Sequence, residues 1–316
     1  MIQFRNARQS EKNQIKQLWH QCFHDEESYI DMYLESGFAS EQVYVAVKED
    51  EVVAMMQMIP VEMIYQVPNS QLLVASHSFK NMRLDEKNIG ETDKIKGRYV
   101  YAVATKESAR GQGLMRKLEN FAVKEEIKKG AAFFTLVPAS KSLFSLYNQI
   151  GYTVYTNILE DWFTINKEKA NLKLNIEKVS IKDYVSIRNQ LLEQQTDSFI
   201  QFVDCNYWMN EMNHTNRQVV KIENSNEIVY ILYGRDDEKN IWIQECLSSN
   251  GKIEECIIHS FGMYMNVSKI HLRLQDGILL QEKSYSMIKW ANNNEMLLAK
   301  KVVEESTHSY MNLMLD

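Results

Sequence analysis

The stretch from Gly97 to Gly130 constrains the fold most, because it predicts a strand, a glycine-rich turn and a helix in direct succession. The run GRYVYAVAT has apolar residues on both faces, which is typical of a central strand. The run LMRKLENFAVKEEIKKG has apolar residues at helical spacing and ends on a basic pair and a glycine, both helix-termination signals. The predicted fold class is therefore α/β with a mixed sheet.

The turn between these elements reads ARGQGLMR and can hold an anion. A helix N-terminus exposes unpaired N–H groups, and small residues before it let a diphosphate approach them. A P-loop would need a lysine–hydroxyl pair after Gly113, and a dinucleotide fingerprint would need a third glycine where Arg116 stands. The pattern [RQ]xxGx[GA] fits from Arg110 to Leu114 and departs at Met115. A plain turn with a glycine cap is the alternative.

A second motif, SLFSLYNQIGY, follows about thirty residues later. It predicts a helix that carries Tyr147 and ends at Gly151. A positioned O–H can protonate a leaving thiolate, so Tyr147 is a candidate general acid. The alternative is a core aromatic, because Leu143 and Ile150 share its helix face.

Together the two motifs, over the first 155 or so residues, resemble the GNAT N-acetyltransferases. The resemblance implies acetyl-CoA as co-substrate, a primary amine as acceptor, direct attack in a ternary complex, and Tyr147 as the acid. It implies that the turn holds the pyrophosphate and that the preceding strand holds the pantetheine arm and polarises the thioester. The implied cofactor-binding residues are Ala102, Val103, Ala104, Thr105, Arg110, Gly111, Gln112, Gly113, Leu114, Met115 and Ser142. For Ser142, a plain first-turn or surface serine is equally consistent with the sequence.

The strand–helix pattern then restarts in the second half of the chain, with SSNGKIEE where the first half has ARGQGLMR. The whole chain thus resembles the multidomain group that includes the enhanced intracellular survival acetyltransferases, whose second GNAT-like domain lacks the cofactor turn. A large apolar residue such as Met115 is frequent in that branch. We predict a GNAT domain over 1–157 and a degenerate GNAT-like domain over 158–316, without the sterol-carrier-like third domain of longer relatives.

The base that takes the amine's proton does not stand out among the internal side chains. The ending HSYMNLMLD is typical of a final strand. The resembled acetyltransferases, and the N-myristoyltransferases, use a terminal carboxylate as base, which implies this role for Asp316. A sheet-edge strand with a solvated last residue is the alternative.

Composition excludes several classes of protein. A length of 316 residues predicts two domains. A net charge of −6 argues against nucleic acid and favours a neutral or cationic small partner. The polar start and the lack of long apolar runs indicate a cytoplasmic protein that does not bind membranes. The four cysteines and seven histidines form no metal-site pattern, so we expect no metal, and a monomer or small homo-oligomer.

Two other readings of the function stay open. An acyl-CoA-binding or sensing module without turnover would lack an open acceptor cleft beside the sulfur. An aminoacyl-tRNA-dependent transferase fits the acidic balance and the intact turn less well. His77 is predicted to be a structural histidine, residues 83–98 an inserted surface loop, and residues 156–175 a connection between domains.

Overall fold

A computed structural model describes residues 1–37, 39–67, 92–170, 174–223, 227–235, 240–274, 282–292, 296–306 and 308–311. The first half contains β1 (Ile2–Asn6), α1 (Lys12–Phe23), α2 (Glu27–Gly37), β2 (Val43–Lys48), β3 (Glu51–Gln66), β4 (Thr92–Thr105), α3 (Leu114–Lys128), β5 (Phe133–Leu136), α4 (Lys141–Asn148) and β6 (Thr153–Thr164). None of the described helices has the length and apolar character that crossing a bilayer requires.

The second half repeats a similar order of elements and adds a C-terminal segment. It contains β7 (Asn175–Val179), α5 (Ile181–Gln195), β8 (Ser198–Phe202), α6 (Asn206–His214), β9 (Gln218–Glu223), β10 (Ile228–Arg235), β11 (Ile241–Ser248), α7 (Glu255–Tyr264), β12 (Lys269–Leu274), β13 (Glu282–Trp290), α8 (Leu297–Glu305) and β14 (Ser309–Tyr310).

The described strands form one mixed sheet that runs through both halves. Its order is β1-β2-β3-β4-β5-β13-β6-β12-β11-β10-β9-β7, with β8 paired to β3 and to β14. β13, from near the end of the sequence, lies between β5 and β6 and is antiparallel to both. The mixed α/β fold class is thus confirmed. The domain boundary at 157/158 stays a prediction, and β6 runs across it.

Alternating side chains of the first-half strands fill two separate apolar clusters, one on each face of the sheet. One cluster includes Ile15 and Trp19 of α1 together with Leu298 of α8. The other lies beneath α3 and α4 and includes Leu118 and Tyr147. Both faces are therefore covered, as expected for the apolar run of the central strand β4.

The predictions for two segments, the surface loop and the connection between domains, are wrong in part. Residues 92–98 of the expected surface loop belong to β4, where Ile95 is buried between exposed Lys94 and Lys96. The long strand β3 needs this partner, and Lys94 Nζ lies 3.2 Å from Glu62 Oε1 across the ladder. Residues 83–91 lie outside the described residues.

The predicted connection at 156–175 is likewise strand as far as Thr164. Ile158 of this strand is buried, and Leu159 and Phe163 pack against the core of the second half. Leu159 and Phe163 are separated by Glu160, Asp161 and an exposed Trp162, so the sequence shows no regular apolar alternation here.

A close approach at Gly97 links β4 to β5. Gly97 pairs with Phe133 in the parallel ladder, and a Cβ at Gly97 would overlap the Phe133 ring. We expect Gly97→Ala to lower the free energy of unfolding by about 1–3 kcal/mol, a typical cost of overpacking. Urea unfolding followed by circular dichroism measures this change. Gly97→Ala/Phe133→Leu should recover part of it, and an unchanged unfolding midpoint in Gly97→Ala would contradict the packing.

Candidate active site

The central strands β4 and β5 separate after a short shared ladder. They pair in parallel only from Gly97 to Tyr99 on β4. Opposite β3, the β4 strand carries a bulge at which Ala102 adopts a left-handed φ of 47°. Beyond Tyr99, the backbone groups of β4 that point toward β5 are therefore free of ladder bonds to it. Bulges of this kind re-aim a strand, and they are frequent next to active sites.

A cavity of about 1010 Å³ lies where β4 and β5 separate. One wall is β4 from Tyr99 to Val103, and another is the β5–α4 connection from Leu136 to Lys141. Tyr147 of α4 and Tyr285 of β13 close further sides. The cavity thus brings together a tyrosine and backbone groups of β4 that make no ladder bond to β5.

The glycine turn follows the end of β4 and leads into α3. Gly111 and Gly113 have φ values of 76° and 67°, in the left-handed region that favours glycine. No heavy atom would lie within 4 Å of a Cβ at either position, so the space before α3 is open. The first intrahelical bond runs from Lys117 N to Gly113 O at 3.1 Å, which leaves the preceding N–H groups without helical acceptors.

Arg110 fixes this turn to the strand. Its Nε donates to the carbonyl oxygen of Thr105 at 3.1 Å, and the rest of the side chain is exposed. The end of β4, the arginine and the helix N-terminus are therefore adjacent. A positive guanidinium beside free N–H donors fits an anion such as a pyrophosphate.

Tyr147 lies in the cavity wall with 7% of its surface exposed. Its ring meets that of Tyr152 edge-on, with 5.6 Å between ring centroids. Burial, with a smaller contribution from the Glu119 carboxylate, raises the pKa of Tyr147 to about 12. The hydroxyl therefore keeps its proton at neutral pH, as a general acid must.

The C-terminal end of α1 forms another part of the cavity wall. Trp19, Phe23 and Tyr101 form an aromatic wall there, next to Asp25. The indole Nε1 of Trp19 donates to Asp25 Oδ2 at 2.7 Å, which fixes the carboxylate. Asp25 is not among the predicted site residues, although a tryptophan followed by an acid just after its helix was a usable signal.

A charged cluster lines the side of the cavity toward the second half. Glu160 Oε1 lies 3.4 Å from Arg273 Nη2, and Glu160 Oε2 lies 3.5 Å from Lys283 Nζ. The guanidinium of Arg273 is 5.1 Å from the centroid of the Trp242 ring. These residues were also missed, because β6, β12 and β13 meet only in the folded chain.

The predicted site residues are distributed as follows. The cavity is lined by Ala102, Val103 and Tyr147, while Ala104 and Thr105 complete β4 and lead to the turn. Ser142 is exposed and bonded to Ser140, with 2.9 Å between the hydroxyl oxygens, and it is not part of the cavity wall. His77 and Asp316 lie outside the described residues. Met311, the last described residue, is buried, and its sulfur accepts from Thr135 Oγ1 at 3.2 Å.

The chain shares its fold with GNAT-type acetyltransferases of known structure. A family model described as an acetyltransferase (GNAT) domain matches residues 3–77. No curated protein matches the chain. Together, the GNAT match and the fold support an acyltransferase.

Similar solved structures cover nearly the whole chain. A probable N-acyltransferase from Enterococcus faecalis is 15% identical with a TM-score of 0.66, covering 94% of this chain and 74% of its own. Eis1 from Mycobacterium abscessus is 10% identical with a TM-score of 0.59, covering 92% and 73%. N-myristoyltransferase from Saccharomyces cerevisiae, bound to myristoyl-CoA, is 6% identical with a TM-score of 0.50, covering 91% and 82%. At these identities the likeness establishes the fold alone.

Proposed function

We propose that the chain is an N-acetyltransferase that moves an acetyl group from acetyl-CoA to a primary amine by direct attack in a ternary complex. One observation carries this proposal: β4, whose residues 99–103 wall the cavity together with Tyr147, leads directly to the glycine turn and the N-terminus of α3. We also propose that the chain belongs to the multidomain group that includes the enhanced intracellular survival acetyltransferases. The extent of the fold shared with Eis1 supports it.

Acetyl-CoA would be held along two segments of the first half. The N–H groups at the start of α3 and the Arg110 guanidinium would bind its pyrophosphate. The free backbone groups of β4 over residues 102–105 would bind the pantetheine arm. A backbone N–H aimed at the thioester oxygen would stabilise the negative charge that develops there.

The chemistry then needs one proton donor and one proton acceptor. The amine nitrogen attacks the thioester carbon, the carbon–sulfur bond breaks, and the Tyr147 hydroxyl gives its proton to the sulfur. The proton that the amine loses goes to a base. Asp316 stays the predicted base, as the resemblance implies, and lies outside the described residues.

The acceptor amine would enter from the α1 end of the cavity. There the Asp25 carboxylate would attract a cationic group of the acceptor, and Trp19 and Tyr101 would pack against its carbon skeleton. A cavity that extends to the residues of α1 leaves room for an acceptor, which an enzyme requires and a pure acyl-CoA sensor lacks. The cavity therefore favours turnover over the sensing alternative.

Replacing Asp25 tests this entry side. For a dicationic amine, we expect Asp25→Asn to raise KM by about tenfold or more, since it removes a charge-assisted contact. Steady-state kinetics with a free-thiol readout measures the change. Glu26→Gln, in the same connection but exposed, is the matched control and should leave KM unchanged. Equal KM values in Asp25→Asn and the wild type would place the acceptor elsewhere.

A panel of amines tests the proposed function itself. Each amine is incubated with acetyl-CoA and the protein, and the release of free thiol is followed together with the mass of the amine. We expect at least one primary amine to be acetylated with one thiol released per acetyl group. Stoichiometric binding of acetyl-CoA without turnover on any amine would favour the sensing module.

A further inference from the structure

A largely buried ion pair lies close to Tyr147, and neither of its residues lines the cavity. Lys289 Nζ is 2.7 Å from Glu119 Oε1, and these side chains are 17% and 1% exposed. Glu119 belongs to α3 of the first half, while Lys289 belongs to β13. A buried ion pair adds little net stability compared with apolar residues of similar volume. Stability alone therefore gives no reason for this pair.

The ion pair packs against Tyr152, which follows the end of α4, the helix that carries Tyr147. The Lys289 ammonium lies 5.4 Å from the centroid of the Tyr152 ring, and that ring meets Tyr147 edge-on. Tyr152 N donates to the carbonyl oxygen of Tyr147 at 3.1 Å. The second carboxylate oxygen of Glu119 and the Tyr152 hydroxyl are both shielded from solvent. The ion pair, Tyr152 and Tyr147 therefore form one packed unit.

We propose that Glu119 and Lys289 are positioning residues for the reaction: through the ring of Tyr152 they fix Tyr147 in the cavity wall and set the charge environment of its hydroxyl. This inference rests on the proposed function. It also gives the second half a role, because β13 delivers the lysine that neutralises Glu119. Tyr147 would then be supported by a strand from the far end of the sequence.

The charges around Tyr147 give the sign of each effect. The Glu119 carboxylate disfavours a tyrosinate beside it, whereas an unpaired Lys289 ammonium would favour one. The charged groups that line the cavity are Asp25, Lys141, Glu160, Arg273, Glu282 and Lys283. Among the charged groups of the described residues, Glu119 is the one that adds to burial in raising the pKa of Tyr147.

The test compares three variants across the alkaline range in which the protein stays folded. In Glu119→Gln, the lost carboxylate and the unpaired ammonium should lower the pKa of Tyr147 by about one to three units. Because the protonated hydroxyl is the active form, kcat should then fall at a correspondingly lower pH. Lys289→Met should show no such fall of kcat. In Glu119→Gln/Lys289→Met, the pKa of Tyr147 should lie between its values in the wild type and in Glu119→Gln.

A second readout does not depend on activity. Tyrosinate absorbance is titrated in each variant and in the same variant with Tyr147→Phe, and the difference reports Tyr147 alone. The matched control is Glu125→Gln, which breaks an exposed pair with Lys128 on the same helix and should shift nothing. If Glu119→Gln does not fold, the double variant Glu119→Gln/Lys289→Met, which lacks both charges, is used for the test. Its Tyr147 should have a lower pKa than Tyr147 of the wild type.

The outcomes separate this inference from the proposed function. An unshifted Tyr147 titration in Glu119→Gln, or in the double variant, would overturn the positioning role even if acetylation proceeds normally. A shifted titration in a protein that acetylates no amine would instead count against the proposed function. A shift confined to the Glu119 and Lys289 variants, together with the earlier fall of kcat, supports both.

Discussion

Replacing Tyr147 with phenylalanine should lower kcat by about 10²–10⁴-fold, the usual range for a general acid, while the Kd for acetyl-CoA stays nearly unchanged. The hydroxyl would act on the sulfur only as the carbon–sulfur bond breaks, so its loss affects the transition state and not the bound cofactor. Rapid-mixing kinetics for the chemical step and calorimetry for acetyl-CoA measure the two quantities separately.

The control for this variant is Tyr155→Phe. Tyr155 is also buried, and its hydroxyl lies 3.3 Å from Ser198 Oγ, but it is not part of the cavity wall. Its kcat should match that of the wild type. A Tyr147→Phe protein with unchanged kcat, and with chemistry shown to be rate-limiting, would remove Tyr147 from the mechanism.

Combining Arg110→Ala with Gly113→Val should abolish acetyl-CoA binding. The first change removes the guanidinium beside the helix N-terminus. The second places a β-branched residue at a φ of 67°, which costs about 1–2 kcal/mol for a residue with a side chain and displaces the N–H donors. Calorimetry should then detect no heat of binding at concentrations that saturate the wild type.

The second half offers a matched control for this loss. Gly251, in the SSNGKIEE segment, has a φ of 75°, so Gly251→Val places the same residue in the same backbone region. It should leave acetyl-CoA binding intact, because we place the cofactor in the first half. Stoichiometric binding in a folded Arg110→Ala/Gly113→Val protein would refute the assignment of the turn.

The parts of the site that the sequence could predict are local in the chain. The turn, α3 and α4 follow from glycine positions, helical spacing and termination signals within about fifty residues. The start of β4 could not be found in this way, because a single buried residue, Ile95, lies between two exposed lysines. These residues form a strand because they pair with β3.

Contacts between distant segments could not be predicted from any pattern. β13 takes the place between β5 and β6, so Lys289 reaches Glu119 across 170 positions of sequence. Glu160, Arg273 and Lys283 meet for the same reason at the side of the cavity. A lone buried charge is costly, so the buried Glu119 of α3 requires a partner, which helical spacing alone does not identify.

A crystal structure of the chain with CoA tests the central claim most directly. The account predicts that the pyrophosphate contacts the Arg110–Met115 turn, that the pantetheine arm lies along residues 102–105 of β4, and that the sulfur lies within hydrogen-bond reach of the Tyr147 hydroxyl. Density for CoA at the SSNGKIEE segment, or with its sulfur far from Tyr147, would contradict it.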